Sequence, residues 1–441
     1  MNALLDVNIA EGPFVYVMYA LAALTVIALV LVRPSRKWSH SGWVIGVAWA
    51  LVTGVLLTVA LIWWLIYVTD TFGLDPTWIT KAFFAGGIIM LTVILVGLWR
   101  ATWKRRIASV GAALVVVLTV AMGINIDFGQ YSTVRSTLGI SEFAATALPP
   151  LHDSAVPTAS RATVATWRPP ASMPAVGTVA SVKIPGTISG FVARNAVVYL
   201  PPAALTANPP LLPVIVLLSG QPGIPDDMFN AAGALGVANK YAATHGGLAP
   251  IIVAPDQLGS RDSNPMCIDS PLGNSATYLT QDVPNWIKAN LGVLTDRSQW
   301  AIGGFSQGGT CAIQLGAGFP QLFGSLIDIS GELDVSIGTP AKTIKAAFGG
   351  SQARYDAAQP LAKLTAGTPY KDTYATVAVG ANDKTYRPGQ QQIAAAAKAA
   401  GMKVDYFEVP GSSHDWTTAS VATAQALTAT FTRWALTPAT D

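Results

Sequence analysis

The chain has 441 residues, more than one compact domain usually holds, so we expect at least two structural units. Only 12% of the residues are charged, and the net charge is +3. Residues 1–126 contain eight Lys/Arg and four Asp/Glu, whereas 127–441 contain nineteen and twenty. Nucleic-acid binding needs a basic stripe that neutralises phosphates, and no such cluster lies outside the first region, so we do not expect that function.

The first 126 residues are predicted to form a four-helix transmembrane domain. A helix needs about 20 apolar residues to cross a bilayer. Four stretches qualify: Phe14–Val32, Trp43–Val68, Ala82–Trp99 and Ile107–Ile126. No basic segment precedes the first stretch and three more follow, so we interpret it as a span and not as a cleaved signal peptide.

The short loops between the spans predict their orientation. Loops 33–42 and 100–106 are basic, whereas the alternate segments carry acidic residues such as Asp70 and Asp75. Because basic loops stay in the cytoplasm, the N-terminus and residues 127–441 are predicted to lie on the extracytoplasmic side of a cell membrane. The spans carry no ionisable residue near their centres, which favours an anchor over a transporter.

Residues 127–175 are rich in Ser, Thr, Ala and Pro, including Ala147-Leu148-Pro149-Pro150, and we interpret them as a linker, partly ordered at best. From 176 to 441, strands and helices alternate, which predicts an α/β domain with a doubly wound, mostly parallel sheet. Eight strands are predicted, the first two as an antiparallel hairpin: Val179–Ile184, Ala196–Leu200, Pro213–Leu218, Pro250–Ala254, Trp300–Gly303, Ser325–Ile329, Thr376–Val379 and Val404–Val409. The intervening helices are predicted at Asp226–Thr244, Thr277–Leu291, Gln307–Ala317, Gln390–Ala400 and Thr417–Trp434.

A Gly-x-Ser-x-Gly pentapeptide surrounds Ser306, between a predicted strand and a predicted helix. That context places the serine on a sharp turn with an exposed hydroxyl. A serine needs a base, and in this arrangement the acid and then the histidine follow it along the chain. His414, after the last strand, is the only histidine that follows Ser306. For the acid we favour Asp383, after the seventh strand; Glu332, Asp334 and Asp415 are the alternatives.

Two backbone N–H groups are expected to stabilise an oxyanion. One belongs to Gln307, directly after the serine, and the other to Gln221, in the glycine-rich loop after the third strand. The neighbouring Pro222 has no N–H to offer. An ordinary glycine-rich turn is the alternative interpretation of this loop.

The motifs Leu217-Leu218-Ser219-Gly220, Gly303–Gly309 and Ser413-His414-Asp415-Trp416 resemble the esterase D / mycolyltransferase branch of the α/β-hydrolases, over about residues 178–436. The resemblance implies acyl transfer from an ester through an acyl-serine. It implies a triad of Ser306, Asp383 and His414, with no metal and no cofactor. The four-span anchor resembles that of actinobacterial membrane esterases.

Acidic residues follow the fourth strand and could receive a substrate ammonium, as on an aminoacyl-phospholipid; a solvated loop is the alternative. The candidate substrate-binding residues are Asp256, Asp262, Asp269 and Trp416.

The two cysteines, Cys267 and Cys311, could be buried thiols or one disulfide. We hypothesise a membrane-anchored extracytoplasmic serine esterase that hydrolyses a carboxylic ester of the cell envelope, with a lipid ester as the favoured substrate. The alternatives are a mycolyl- or acyltransferase and a non-catalytic binding protein. No motif in the sequence indicates a particular protein partner.

Overall fold

The computed structural model describes residues 2–68, 76–145, 148 and 166–436. Several residues lie outside the described part of the chain, including the acidic Asp70 and Asp75 between the second and third predicted spans. The same holds for His152 and for most of the segment 147–150, both in the predicted linker. The chain divides into two compact units, Met1–Leu138 and Gly139–Asp441.

The first unit contains four helices long and apolar enough to cross a membrane. They are α1 (Pro13–Leu31), α2 (His40–Trp63, extended by a π-helical turn over Trp64–Val68), α3 (Trp78–Leu98) and α4 (Trp103–Phe128). The four predicted apolar helices are thus confirmed. Short helices at Asn2–Leu5 and Val134–Thr137 complete the unit.

Local capping explains where three of these helices begin. The side chains of Ser39, Thr77 and Thr102 accept hydrogen bonds from backbone N–H groups of the first turns of α2, α3 and α4. Each cap satisfies one of the four donors that a helix start leaves without an intrahelical partner. At the other end, α4 stops at Gly129, whose left-handed conformation (φ 72°) suits glycine.

The second unit is built on an eight-stranded sheet with the order β1-β2-β4-β3-β5-β6-β7-β8. The strands are β1 (Thr178–Val182), β2 (Ala196–Leu200), β3 (Val214–Leu218), β4 (Ile251–Ala254), β5 (Trp300–Phe305), β6 (Ser325–Ile329), β7 (Tyr374–Gly380) and β8 (Lys403–Val409). The pairs β1–β2 and β2–β4 are antiparallel and the others are parallel. The predicted mostly parallel α/β sheet is confirmed.

The strands β2 to β6 are buried along their whole length. Burial on both faces is the reason that these strands read as continuous apolar runs without alternation. The main helices between strands are α5 (Ala234–Thr244), α6 (Val283–Asn290), α7 (Gln307–Gly318) and α8 (Arg387–Ala399), and α9 (Trp416–Arg433) follows the last strand.

Two predicted helices differ from those observed. The helix predicted over Asp226–Thr244 is interrupted: a turn at Asp226–Phe229 precedes α5, and Gly233 between them is left-handed (φ 73°). The helix predicted over Thr277–Leu291 begins as Ser275–Thr277 and a π-helical turn, Tyr278–Asp282, before α6.

Three short helices between β6 and β7 were not predicted: Pro340–Ala347, Gln352–Ala358 and Pro360–Ala366. Two-residue strands at Asp269–Ser270 and Gly273–Asn274 form a separate ladder, and 3-10 turns lie at Pro202–Leu205 and Arg297–Gln299. The segment interpreted as a linker also contains ordered parts, since the Trp167 ring is buried and its Nε1 donates to the Gly246 carbonyl.

Candidate active site

Ser306 lies on the turn between β5 and α7, with φ 55° and ψ −122°. A non-glycine residue rarely adopts a positive φ, and this conformation costs on the order of 1–3 kcal/mol. The two glycines of the motif are required by close packing, because a Cβ on Gly304 or Gly308 would collide with the Leu218 carbonyl oxygen of β3. The motif therefore encodes a strained turn pressed against the neighbouring strand.

The Ser306 hydroxyl faces the imidazole of His414. The Nε2 atom of His414 is 2.9 Å from Ser306 Oγ. His414 lies in the loop between β8 and α9, at the carboxyl edge of the parallel strands where β5 delivers the serine. Ser306 is 8% exposed, so its hydroxyl is largely shielded from bulk water.

Asp383 lies behind the imidazole. Its Oδ2 is 3.4 Å from His414 Nδ1, longer than a normal hydrogen bond, and both atoms are buried with no hydrogen-bond partner among the described residues. Its Oδ1 accepts hydrogen bonds from the backbone N–H groups of Thr385 (3.0 Å) and Tyr386 (2.8 Å). Catalytic hydrogen bonds are often long without substrate, so a small shift would join the two atoms.

The alternative acids have other contacts. Asp415 caps α9, since its Oδ1 accepts from Thr418 N at 2.8 Å and from the Ser412 hydroxyl at 2.5 Å. Asp334 is exposed. Glu332 is partly buried, and burial, followed by the charge of Asp334, raises the pKa of its carboxyl to about 7. Of the four candidate acids, Asp383 has its carboxylate beside the His414 imidazole.

Aromatic rings cover both faces of the His414 imidazole. The Tyr386 ring stacks on it with centroids 4.1 Å apart, and the Phe305 ring with centroids 5.0 Å apart. Trp416 packs against Phe305 from behind, at 5.1 Å. Such rings fix the orientation of the imidazole.

The loop that carries one predicted oxyanion donor adjoins the serine, and the other donor directly follows it. Gly220 lies against Ser306, because a Cβ there would be 3.4 Å from the Ser306 Cβ. Gln221 follows in the same loop, and Gln307 begins α7. Within the described part of the chain, neither backbone N–H group has a hydrogen-bond acceptor. Both therefore stay candidate oxyanion donors.

A buried glutamine connects these two elements. Gln257, in the loop after β4, donates from Nε2 to the Ser219 carbonyl (2.6 Å) and to Gln307 Oε1 (3.1 Å). Gln307 Nε2 donates in turn to Asn264 Oδ1 at 3.2 Å. One turn further along α7, Cys311 forms a disulfide with Cys267 of the same loop. The loop after β4 therefore holds both the turn after β3 and the start of α7.

The structure corrects two of the candidate substrate-binding residues. Asp256 is fully buried, and both of its oxygens bind Arg194, at 2.7 and 3.0 Å. Its carboxylate is therefore unavailable to a substrate ammonium. Trp416 is 6% exposed and packs on Phe305, so it supports the histidine and does not line an open surface.

The other two candidates differ in their surroundings. Asp269 is exposed, but its carboxylate accepts hydrogen bonds from the backbone and hydroxyl of Thr277. Asp262 is exposed, and its carbonyl accepts a hydrogen bond from the Gln221 side chain at 3.1 Å. Of the four candidates, Asp262 combines exposure with a contact to the predicted oxyanion loop.

Sequence reasoning missed Gln257, Tyr386 and Arg194. Gln257 stands at the carboxyl edge of the sheet, three residues after β4, which is a signal that could have singled it out. The contacts of Tyr386 and Arg194 depend on the fold. Among the described residues, no group of three or more His, Cys, Asp or Glu is arranged to hold a metal ion.

Comparisons with known proteins show the family of the chain. Residues 193–429 match the family described as "Putative esterase". The chain is 30% identical over 436 residues to an uncharacterized protein of Corynebacterium glutamicum, covering 93% of this chain and 94% of the relative.

Solved structures are similar to part of the chain. A ferulic acid esterase aligns with 58% of this chain and 98% of its own, at 18% identity and a TM-score of 0.50. An S-formylglutathione hydrolase from Agrobacterium tumefaciens covers 58% of this chain and 95% of its own, at 18% identity and a TM-score of 0.47. The chain is a serine hydrolase that belongs to this esterase family of the α/β-hydrolases.

Proposed function

We propose that this protein is a membrane-anchored, extracytoplasmic esterase that hydrolyses a lipid ester of the cell envelope through an acyl-serine. The observation that carries the proposal is the 2.9 Å contact of Ser306 Oγ with His414 Nε2, with Asp383 on the far side of the ring. A serine, a base and an orienting acid in this order form the triad of nucleophilic acyl transfer.

The geometry supports a two-step mechanism. His414 Nε2 takes the proton from Ser306 as Oγ attacks the ester carbonyl carbon, and the carbonyl oxygen becomes an oxyanion. The N–H groups of Gln221 and Gln307 stabilise that oxyanion. His414 then gives the proton to the leaving alcohol, and the C–O bond breaks to leave an acyl-serine.

Water completes the cycle. His414 takes a proton from a water molecule whose oxygen attacks the acyl carbon, and returns the proton to Ser306 Oγ as the acid departs. Asp383 orients the imidazole, and the stacked Tyr386 and Phe305 rings keep it in place through both half-reactions.

Two features support the extracytoplasmic side. Loops 33–42 and 100–106, which lie on one side of a four-span arrangement, are both basic. The second unit contains a disulfide, Cys267–Cys311, and such bonds persist in oxidising compartments. An esterase held at that surface has lipid esters of the envelope within reach, which favours a lipid as substrate.

The test uses the full chain in lipid nanodiscs, with a phospholipid ester as substrate in H2¹⁸O. We expect released fatty or amino acid with one ¹⁸O in its carboxylate, and loss of at least 10³-fold in turnover for Ser306→Ala. Retained turnover in the Ser306→Ala variant would refute the assignment of Ser306 as the nucleophile. Addition of a sugar or lipid alcohol distinguishes the acyltransferase, because transfer yields a new ester without ¹⁸O.

A further inference from the structure

The first unit encloses a large apolar cavity that the proposed mechanism does not use. Its volume is about 870 Å³, within the range of ligand-binding pockets. All four helices contribute to it, through apolar side chains that include Phe14, Met18, Ile62, Phe84, Leu118 and Met122.

The cavity occupies one end of the helix bundle. Its lining runs along α4 from Leu118 to Phe128, an axial rise of about 15 Å. That rise equals half of the hydrocarbon thickness of a bilayer, which is about 30 Å. The cavity is therefore long enough for a chain of one leaflet. It lies at the C-terminal end of α4, and Thr137 also lines it.

The cavity is accessible from the side of the bundle. Two of its lining residues, Phe14 and Leu118, are 41% and 48% exposed, and Ala121 is also exposed. In a membrane, this surface faces lipid chains and not water. A flexible hydrocarbon chain can therefore enter from the bilayer without crossing a polar layer.

Polar groups lie at one end of the cavity. The Thr80 hydroxyl donates to Asp127 Oδ2 at 2.6 Å, and the Asn125 side chain bonds the backbone of Tyr131 at 2.8 and 2.9 Å. Thr80 and Asn125 line the cavity next to where α3 begins and α4 ends. An occupant with an apolar tail and a polar end fits this distribution.

We propose that the cavity binds one acyl chain of a membrane lipid, with the ester end of the lipid at Thr80 and Asn125. Because bilayer and cavity are equally apolar, selection depends on shape and on the polar end. The identification of this lipid as the substrate of the second unit rests on the proposed function. The binding of an acyl chain in the cavity is independent of that function.

The test uses phosphatidylglycerol with a diazirine in mid-chain and the full-length Ser306→Ala protein in nanodiscs. After illumination, we expect adducts at Met122, which lines the cavity but is only 6% exposed and so escapes bulk lipid. Ala121→Trp should fill the cavity and reduce the Met122 adducts at least fivefold. Ala108→Trp, the same change at an exposed residue of α4 outside the lining, should leave them unchanged.

The inference can also be overturned without any substitution in the four helices. Adducts at exposed residues such as Leu114, with none at Met122, would contradict it. Equal Met122 labelling in Ala121→Trp and Ala108→Trp would also overturn it. Turnover is measured in parallel on the protein that retains Ser306, because Ser306→Ala is inactive under the proposed mechanism. Met122 labelling without lipid-ester turnover by the Ser306 protein would support the cavity and refute the proposed function. Turnover without Met122 labelling would support the proposed function and overturn the cavity.

Discussion

The imidazole of His414 has a partner on each side. Ser306 lies at Nε2, Asp383 at Nδ1, and the Tyr386 and Phe305 rings cover the two faces. The hydrogen bonds from Thr385 N and Tyr386 N to the other Asp383 oxygen leave Oδ2 directed at the ring. The orientation of the base is thus fixed by local packing before any substrate binds.

The identity of the acid can be tested by two matched substitutions. We expect Asp383→Asn to lower kcat by roughly 10³–10⁴-fold, because an amide can hold the wrong imidazole tautomer. Glu332→Gln, an equally conservative change at the rival acid after β6, should leave kcat within about twofold. Both are measured with p-nitrophenyl acetate. A larger loss in Glu332→Gln than in Asp383→Asn would contradict the assignment.

Glu332 also makes stability depend on pH. Burial raises the pKa of its carboxyl in the folded protein to about 7, from an ordinary value of 4.5. Between these values the unfolded chain has released a proton that the folded protein retains, so this group lowers the free energy of unfolding as pH rises towards 7. Glu332→Gln should therefore stabilise the second unit at pH 8, by on the order of 2 kcal/mol, and not at pH 4. Thermal unfolding at both values checks this, and an equal gain at both would contradict it.

At the scale of elements, the loop after β4 connects two others. Gln257 bonds the Ser219 carbonyl after β3 and the Gln307 side chain at the start of α7. The two predicted oxyanion donors, Gln221 and Gln307, belong to those same elements. The spacing of these two donors therefore depends on the buried side chain of Gln257.

Gln257→Leu should loosen that spacing. We expect kcat to fall by about 10–100-fold with KM changed less than threefold, because the oxyanion forms only in the transition state. Steady-state kinetics on p-nitrophenyl acetate separate the two constants. A rise in KM at constant kcat would instead indicate a role in substrate binding. Fluorophosphonate labelling of Ser306 serves as the control for folding.

The elements themselves were largely predictable from local patterns. All eight strands were located because buried parallel strands form apolar runs between turn residues. The turn at Ser306 was evident because close packing against Leu218 admits only glycine at 304 and 308. The helix over Asp226–Thr244 was predicted as continuous because the left-handed Gly233 gives no periodic signal.

Outside the triad, whose members follow a known chain order, contacts between distant residues could not be predicted. Asp256 was interpreted as a substrate ligand because its partner Arg194 lies 62 residues away in the chain. The stacking of Tyr386 on His414, and the contact of Trp416 with Phe305, also join separate elements. Such pairs depend on how the sheet and its loops pack, which residue spacing alone does not encode.

At the scale of the whole molecule, the proposal depends on which side of the membrane the second unit faces. Among the described residues, both cysteines are in the disulfide, so a single added cysteine reports its own exposure. We expect Lys398→Cys, exposed on α8, to react with a membrane-impermeant maleimide in intact cells. Ser41→Cys, exposed beside the basic loop 33–42, should react only after lysis. The opposite pattern would contradict the predicted orientation.

The most direct test of the account is the reaction of the full-length protein with a fluorophosphonate probe, followed by peptide mapping. The account predicts a single covalent adduct on Ser306, absent in Ser306→Ala and slowed at least 100-fold in His414→Ala. An unmodified Ser306 in the folded protein, or undiminished labelling of Ser306→Ala at another residue, would contradict it.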